Sequence, residues 1–216
     1  MEPPQTEIVE LRPRDADRTQ QTILDAATSE FSLHGFGGAR IDGIAERAGV
    51  NKRLIYYYFG GKDGLFLAVI KRTYVGIREA ERALELTRSK PDESIRRLIQ
   101  FTWHYYLENP EFLSLISSEN LCSARHLKTL PDIREMNSPI IEWLGQVLER
   151  GRREGMFRGG VDAVQLYISI AGLAYFYLSN RHTLSTTFGR DLMSPKALAE
   201  RLSHMTEVVL GYVLRN

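Results

Sequence analysis

Between Arg40 and Lys62 the chain reads RIDGIAERAGVNKRLIYYYFGGK, and no other stretch limits the fold as tightly. Residues 41–48 carry Ile41, Ile44, Ala45 and Ala48 at helical spacing. Gly49 follows, a residue type that takes positive φ readily, so the chain can turn within a few residues. Val50 is an apolar plug, and Asn51 is a good N-cap for a second helix over 52–59. Gly60 and Gly61 end that helix and Lys62 starts the next. Within 52–59, Ile55, Tyr58 and Phe59 share one face, which turns inward. Lys52 and Tyr56 share another, as do Arg53 and Tyr57, and these point outward. Such a surface suits the major groove of DNA. Lys and Arg reach phosphates or guanine, tyrosine hydroxyls reach phosphates, and ring edges meet thymine methyls. A solvated basic face with stray aromatics is the plainer reading of the same four side chains.

Bulk composition does not make that choice. The formal net charge of the 216 residues is only +1, so a DNA-binding argument rests on local arrangement. An apolar fraction of 43% supports a full core. The single cysteine, Cys122, excludes an internal disulfide framework and points to a reducing compartment. Residues 1–22 have no apolar run of the signal-peptide kind, so a cytoplasmic location is expected. Residues 161–178 are apolar and barely long enough to span a bilayer, but Asp162 and Gln165 favour a helix buried on all sides in a soluble protein.

The rest of the chain is helical. Residues 1–15 read as a polar arm with three prolines, in which Arg12 and Arg14, with nearby Arg18, are either solvated or near phosphates. A helix over 16–34 presents Ile23, Leu24, Ala27, Phe31 and Leu33 as its stripe and stops at Gly35 before a loop over 36–38. Further helices are expected over 62–88, 92–108, 111–122, 132–154, 161–181 and 195–214, with a loop between the last two. The fold class is therefore all-α, with about nine helices. The expected domains are residues 1–61, an arm and a three-helix helix–turn–helix unit, and residues 62–216, a larger helical domain.

Leu198, Leu202, Met205, Val209 and Tyr212 repeat at alternating steps of four and three, a coiled-coil-like seam. The preceding helix, with Tyr175 and Leu178, is apolar nearly all round and needs cover on two sides. Two such helices from each of two chains form a four-helix dimer interface; alternatively both complete a single core. Trp103, His104, Tyr106, Phe112, Glu119, Asn120, Trp143, Tyr167, Tyr175, Asn180 and Arg181 mix aromatics with a few polar groups, which suits a ligand pocket between helices. The same residues at helical spacing are also ordinary core. His34, His104, His126, His182 and His204 pair neither with each other nor with Cys122 at ligand spacing, so no metal site or cofactor is expected. No nucleophile–base pattern or phosphate loop is present, so no catalytic residue is assigned.

With Ile44-Ala45, Ala48-Gly49-Val50, Ile55-Tyr56-Tyr57-Tyr58-Phe59, Lys62 and Leu65 in place, residues 16–66 resemble the tetracycline-repressor (TetR) family of transcriptional regulators. The resemblance implies a homodimer on a partly palindromic double-stranded DNA operator, one recognition helix per half-site. It implies a small-molecule effector in the C-terminal domain, whose binding moves the fourth helix and relieves repression. By position in the motif, Lys52, Arg53, Leu54 and Tyr56 match residues that approach base edges, and Tyr57, Tyr58 and Lys62 match residues that meet phosphates. The sequence departs from the family at Arg40, where a Thr or Ser cap is common, and at Asp42, where a basic residue is frequent. A carboxylate there is unfavourable near phosphate unless it pairs with Arg40 or accepts from cytosine; Arg40 itself is then a phosphate candidate. The competing readings are an all-helical protein-interaction module and, third, an enzyme built on the helical domain.

Overall fold

The computed structural model describes residues 13–215, without the side chains of Pro13, Arg14 and Asn137. Of the arm expected over 1–15, residues 1–12 lie outside the described residues. The remainder forms ten α-helices and one 3-10 turn: α1 (Pro13–Gly38), α2 (Ile41–Ala48), α3 (Lys52–Phe59), α4 (Lys62–Arg82), α5 (Pro91–Glu108), α6 (Pro110–Leu121), η1 (Leu127–Thr129), α7 (Ile133–Arg153), α8 (Ala163–Ser179), α9 (Arg181–Phe188) and α10 (Pro195–Val213). No described helix is long and apolar enough to cross a membrane. The only β pairing among the described residues is an isolated antiparallel bridge between Phe157 and Leu214.

Two compact units divide between Val69 and Ile70. The sequence boundary at 61/62 falls earlier because the motif ends there. The first turns of α4 still belong to the N-terminal unit: Leu65, Phe66 and Val69 are fully buried, and Phe66 meets the Phe31 ring edge-on at 4.9 Å. In that unit Ile23, Ala27 and Phe31 of α1 supply the core with Ile44 and Ala45 of α2 and Ile55 of α3. Leu33, expected on the same stripe, is 68% exposed. It lies two residues past Phe31, about 200° round the helix, so it faces the other way. The interruption expected at Gly35 is present as a left-handed residue (φ 63°, ψ 176°), but 36–38 continue as a helical turn rather than a loop.

The second unit is built on Ile95, Leu98, Ile99 and Trp103 of α5, Ile140, Leu144 and Val147 of α7, Leu166, Ile170 and Ala174 of α8, and Met205, Val209 and Val213 of α10. Helix α4 ends at Arg82, six residues before the expected 88, and the chain turns through Glu85 at φ 46°. Arg150 of α7 holds this turn by donating to the carbonyls of Thr87 and Ser89. Helix α9 replaces the loop expected between α8 and α10. Its sequence, RHTLSTTF, contains no buried residue, so it has no apolar stripe to read; Gly189 closes it in the left-handed conformation.

Candidate nucleic-acid interface

Fixing α3 takes little chain. The backbone turns at Gly49 (φ 64°), where the amide donates back to α2. The Asn51 side chain then accepts from the Arg53 amide at 2.9 Å and caps α3. Ile55 is fully buried and anchors the helix, with Tyr58 and Phe59 half-buried beside it. Lys52, Arg53, Tyr56 and Tyr57 are exposed, as the periodicity requires. Tyr57 is 74% exposed, a position few structural tyrosines occupy, and its ring meets that of Tyr58 edge-on at 5.0 Å. Leu54 is half-buried and Arg40 exposed.

Two carboxylates shape this surface. Asp42 neither pairs with Arg40 nor stands alone: it accepts from Lys52 Nζ at 3.0 Å. That hydrogen bond raises the Lys52 pKa, although both groups are well exposed. Exposed pairs of this kind contribute little to stability. Their effect is on a polyanion, because the carboxylate occupies one direction from which Lys52 could meet a phosphate. Asp42→Ala is therefore expected to bind DNA a few-fold more tightly than the wild type and to show a steeper salt dependence. Titrations at two salt concentrations check this, and weaker binding would mean that Asp42 reads a base.

The second carboxylate, Glu30, was not anticipated. It is buried on α1, and its Oε1 accepts from the Arg40 amide at 3.4 Å. The side chain of Arg40 makes no cap, so Glu30 meets the α2 N-terminus where the usual Thr or Ser is missing. Arg47 and His34 approach the same carboxylate at 3.8 and 3.9 Å. Lys62, expected at a phosphate, is half-buried; its ammonium lies 4.9 Å from the Phe36 ring centroid and 3.5 Å from the Gly37 carbonyl, bracing the end of α1.

In the second unit the candidate pocket residues separate. Trp103, Tyr106 and Phe112 are buried core, and Trp143 is half-buried against it. His104 and Asn120 are exposed, with His104 Nδ1 on the Gln100 carbonyl and Asn120 Nδ2 on the Ile116 carbonyl, so neither lines an interior site. Tyr175 meets Ser117 at 2.5 Å. Tyr167 belongs to a charged cluster that the sequence reading missed. Arg78 and Glu81 of α4 are 7% and 1% exposed. Arg78 Nη2 donates to the Tyr167 hydroxyl at 2.6 Å, and that hydroxyl donates to Glu81 Oε1 at 3.3 Å. Arg78 Nη1 lies 2.8 Å from Glu81 Oε2, close enough to attract but out of hydrogen-bond alignment; neither atom has a hydrogen-bond partner, nor has Arg78 Nε. Burial pushes the Glu81 carboxyl up to about 7, against the pull of Arg78 and Tyr167. Burial likewise raises Tyr167 to about 12. The available signal was a charge on an apolar stripe: Glu81 continues the row of Ile70, Tyr74 and Ile77.

The proposed dimer seam also divides. Leu178, Met205 and Val209 are buried in their own chain's core, and Tyr175, Leu198 and Leu202 pack against it, leaving Tyr212 exposed. A four-three repeat shows that a helix has an apolar stripe, not which partner covers it. On these two helices the exposed apolar side chains are Val164, Ile168 and Phe176 of α8 and Val208 and Tyr212 of α10, so of the proposed seam only Tyr212 is among them.

Comparison with known proteins bears on both units. Residues 23–69 match the family model of bacterial regulatory proteins, tetR family, and residues 91–209 match the tetracyclin repressor-like C-terminal domain. The chain is 38% identical over 206 residues to the HTH-type transcriptional repressor NicS of Pseudomonas putida, covering 95% of this chain and 97% of that protein. It is 37% identical over 163 residues to the HTH-type transcriptional repressor SCO4008 of Streptomyces coelicolor, covering 74% and 79%. A solved TetR family transcription regulator from Marinobacter aquaeolei VT8 shares the fold at a TM-score of 0.69 and 21% identity, covering 95% of this chain and 100% of that one. Matched through its reading head and its helical body alike, the chain belongs to the TetR family of transcriptional regulators.

Proposed function

We propose that this regulator is a repressor that binds a partly palindromic operator as a homodimer and leaves it when a small molecule enters the helical domain. The observation that carries the reading is α3, which buries Ile55 and exposes Lys52, Arg53, Tyr56 and Tyr57 together on one short helix. Lys52, Arg53, Leu54 and Tyr56 would face base edges, with Tyr57, Tyr58 and Arg40 toward phosphates. Lys62 is better suited to holding α1 in place than to reaching DNA, given its contacts with Phe36 and Gly37.

The apolar surface of Val164, Ile168, Phe176, Val208 and Tyr212 supports the homodimer, since a chain alone would leave it in water. Two heads on one duplex need half-sites about one helical turn apart, roughly 34–36 Å, so a small change in their separation disengages one of them. An effector acts only by binding the two states with different affinity. Helix α4 runs from the N-terminal unit into the second and carries Arg78 and Glu81, so groups near the interior cluster share a helix with the head's core.

Gel shifts with the DNA flanking the gene test the reading. Tyr56→Ala and Lys52→Ala are each expected to weaken binding about tenfold or more while leaving the thermal melt and the oligomeric mass unchanged. Undiminished binding by both variants at matched salt would remove α3 as the reading surface.

A further inference from the structure

The least satisfied polar groups in the described chain sit together in the second unit. Arg78 offers five donors and is 7% exposed, yet its Nε and Nη1 have no hydrogen-bond partner. Glu81 Oε2 lacks one as well. Nη1 and Oε2 face each other as an ion pair at 2.8 Å but out of hydrogen-bond alignment, and Nε has no hydrogen-bond partner. Polar atoms so incompletely satisfied at this depth are costly in a finished core and mark a place where a ligand would satisfy them better. The Nη1–Nη2 edge of the guanidinium, held at present by Glu81 and the Tyr167 hydroxyl, matches the two oxygens of a carboxylate.

The walls add shape. Arg78 lies over the Tyr167 ring, 5.5 Å from its centroid. Phe112 stacks on Tyr106 at 5.3 Å and meets Tyr105 and Tyr74 edge-on at 5.8 and 6.4 Å. Tyr74, Tyr105 and Tyr167 are only half-buried, so these rings separate the charged pair from solvent and are the groups that would part to admit a molecule. Flat rings accept a flat ring.

Building on the effector reading above, we infer that the Arg78–Glu81–Tyr167 cluster is a site for a small aromatic monocarboxylate, which takes the guanidinium of Arg78 in exchange for Glu81 while one proton is taken up at Glu81. The charge count requires the proton. Arg78 and ionised Glu81 together are neutral, and adding a monoanion would leave two negative charges on one positive group in a low-dielectric setting. Protonating Glu81 restores one of each and gives its carboxyl a donor for the ligand. The other groups facing Glu81 do not supply that charge. From α5 there are Tyr105 and Tyr106, and from α8 Tyr167, all held neutral by burial. Glu119 of α6, which acts on Tyr74 nearby, adds negative charge only. The raised position of Glu81, about 7, makes the uptake easy near neutrality.

Calorimetry of the full chain with benzoate, and with neutral benzamide as the isostere, tests this. Benzoate is expected to bind at least tenfold more tightly than benzamide. Its affinity is expected to fall about tenfold between pH 6 and pH 8, because one group ionising near 7 must be protonated in the complex. At pH 7 the heat should change with the ionisation enthalpy of the buffer, in the sense of proton uptake. Glu81→Gln should bind benzoate equally at both pH values. Arg78→Met should lose binding; if it does not fold, the benzamide comparison and Glu81→Gln still decide. Absence of benzoate binding, equal binding of benzamide, or a pH dependence that persists in Glu81→Gln would each overturn the inference. Operator binding without benzoate is measured alongside. A protein that binds DNA but not benzoate refutes only this site, whereas one that binds benzoate but no DNA refutes the regulator reading.

Discussion

Gly64→Ala is expected to cost the N-terminal unit about 3 kcal/mol and to abolish operator binding, because it puts a methyl group where the backbone already stands. Between α3 and α4 the chain has only Gly60 and Gly61, at φ 72° and 134°, so the end of one helix lies directly on the start of the next. A Cβ on Gly64 would meet the Phe59 carbonyl oxygen at 2.0 Å. No rotamer relieves that contact, since the backbone fixes the position of the Cβ and the Phe59 carbonyl is itself main chain. The end of α3 would have to lift off α4, taking with it the helix that carries Lys52, Arg53, Tyr56 and Tyr57. Small domains have only several kcal/mol in hand, so a loss of this size is visible in a thermal melt as well as in a gel shift. Gly37→Ala is the control: it is exposed, its Cβ would meet nothing within 4 Å, and it should melt and bind as the wild type does. A Gly64→Ala protein with wild-type melting and wild-type binding would mean that this corner is looser than the structure shows.

Gly64 also marks where the sequence stopped being informative. The helix–turn–helix was legible because each signal in it is local: Gly49 at the turn, Asn51 at the cap, Ile55 three and four residues from Tyr58 and Phe59. Close approach between successive helices is not local in that way, and a glycine at the third position of a helix carries no mark that the preceding helix lies on it. The same limit appears in the second unit. The stripe of α10 was read correctly as apolar, but Met205 and Val209 turn to their own core while Val208 and Tyr212 face out. Helix α9 was missed because burial did not shape its composition.

The interior charges fall in a third class, and they had a signal. Glu30 follows Ile23 and Ala27, Glu81 follows Tyr74 and Ile77, and Glu119 follows Phe112 and Leu115, each at a spacing of three or four. In all three cases a carboxylate sits on the buried stripe of its helix. A buried carboxylate needs a partner or a proton. Glu30 takes the amide at the start of α2, Glu81 takes Arg78 and Tyr167, and Glu119 takes a loop. The spacing identified the residues; the partners come from other elements and could not be assigned from the sequence.

Glu119 is the case where losing the partner should be most damaging. The sequence reading grouped it with pocket residues, but its carboxylate is structural. Oε1 accepts from the amides of His126 and Leu127, both at 2.9 Å, and Oε2 lies 2.6 Å from His126 Nδ1. The chain it holds has to pass through Ser123 and Ala124 at φ 56° and 55°, two successive non-glycine residues in the left-handed region. Each costs about 1–2 kcal/mol relative to ordinary backbone, and that strain persists only while the surrounding bonds outweigh it. Glu119→Ala removes the acceptor from three donors and the restraint on both residues. The expected loss is about 3–5 kcal/mol in denaturant midpoint terms, with new tryptic cleavage at Arg125 and Lys128 under native conditions. Glu119→Gln should lose less, because the amide oxygen can still accept from both backbone groups and only the imidazole contact must rearrange. If the alanine variant keeps the wild-type midpoint and resists trypsin at those two sites, the turn at 123–124 is held by something other than Glu119.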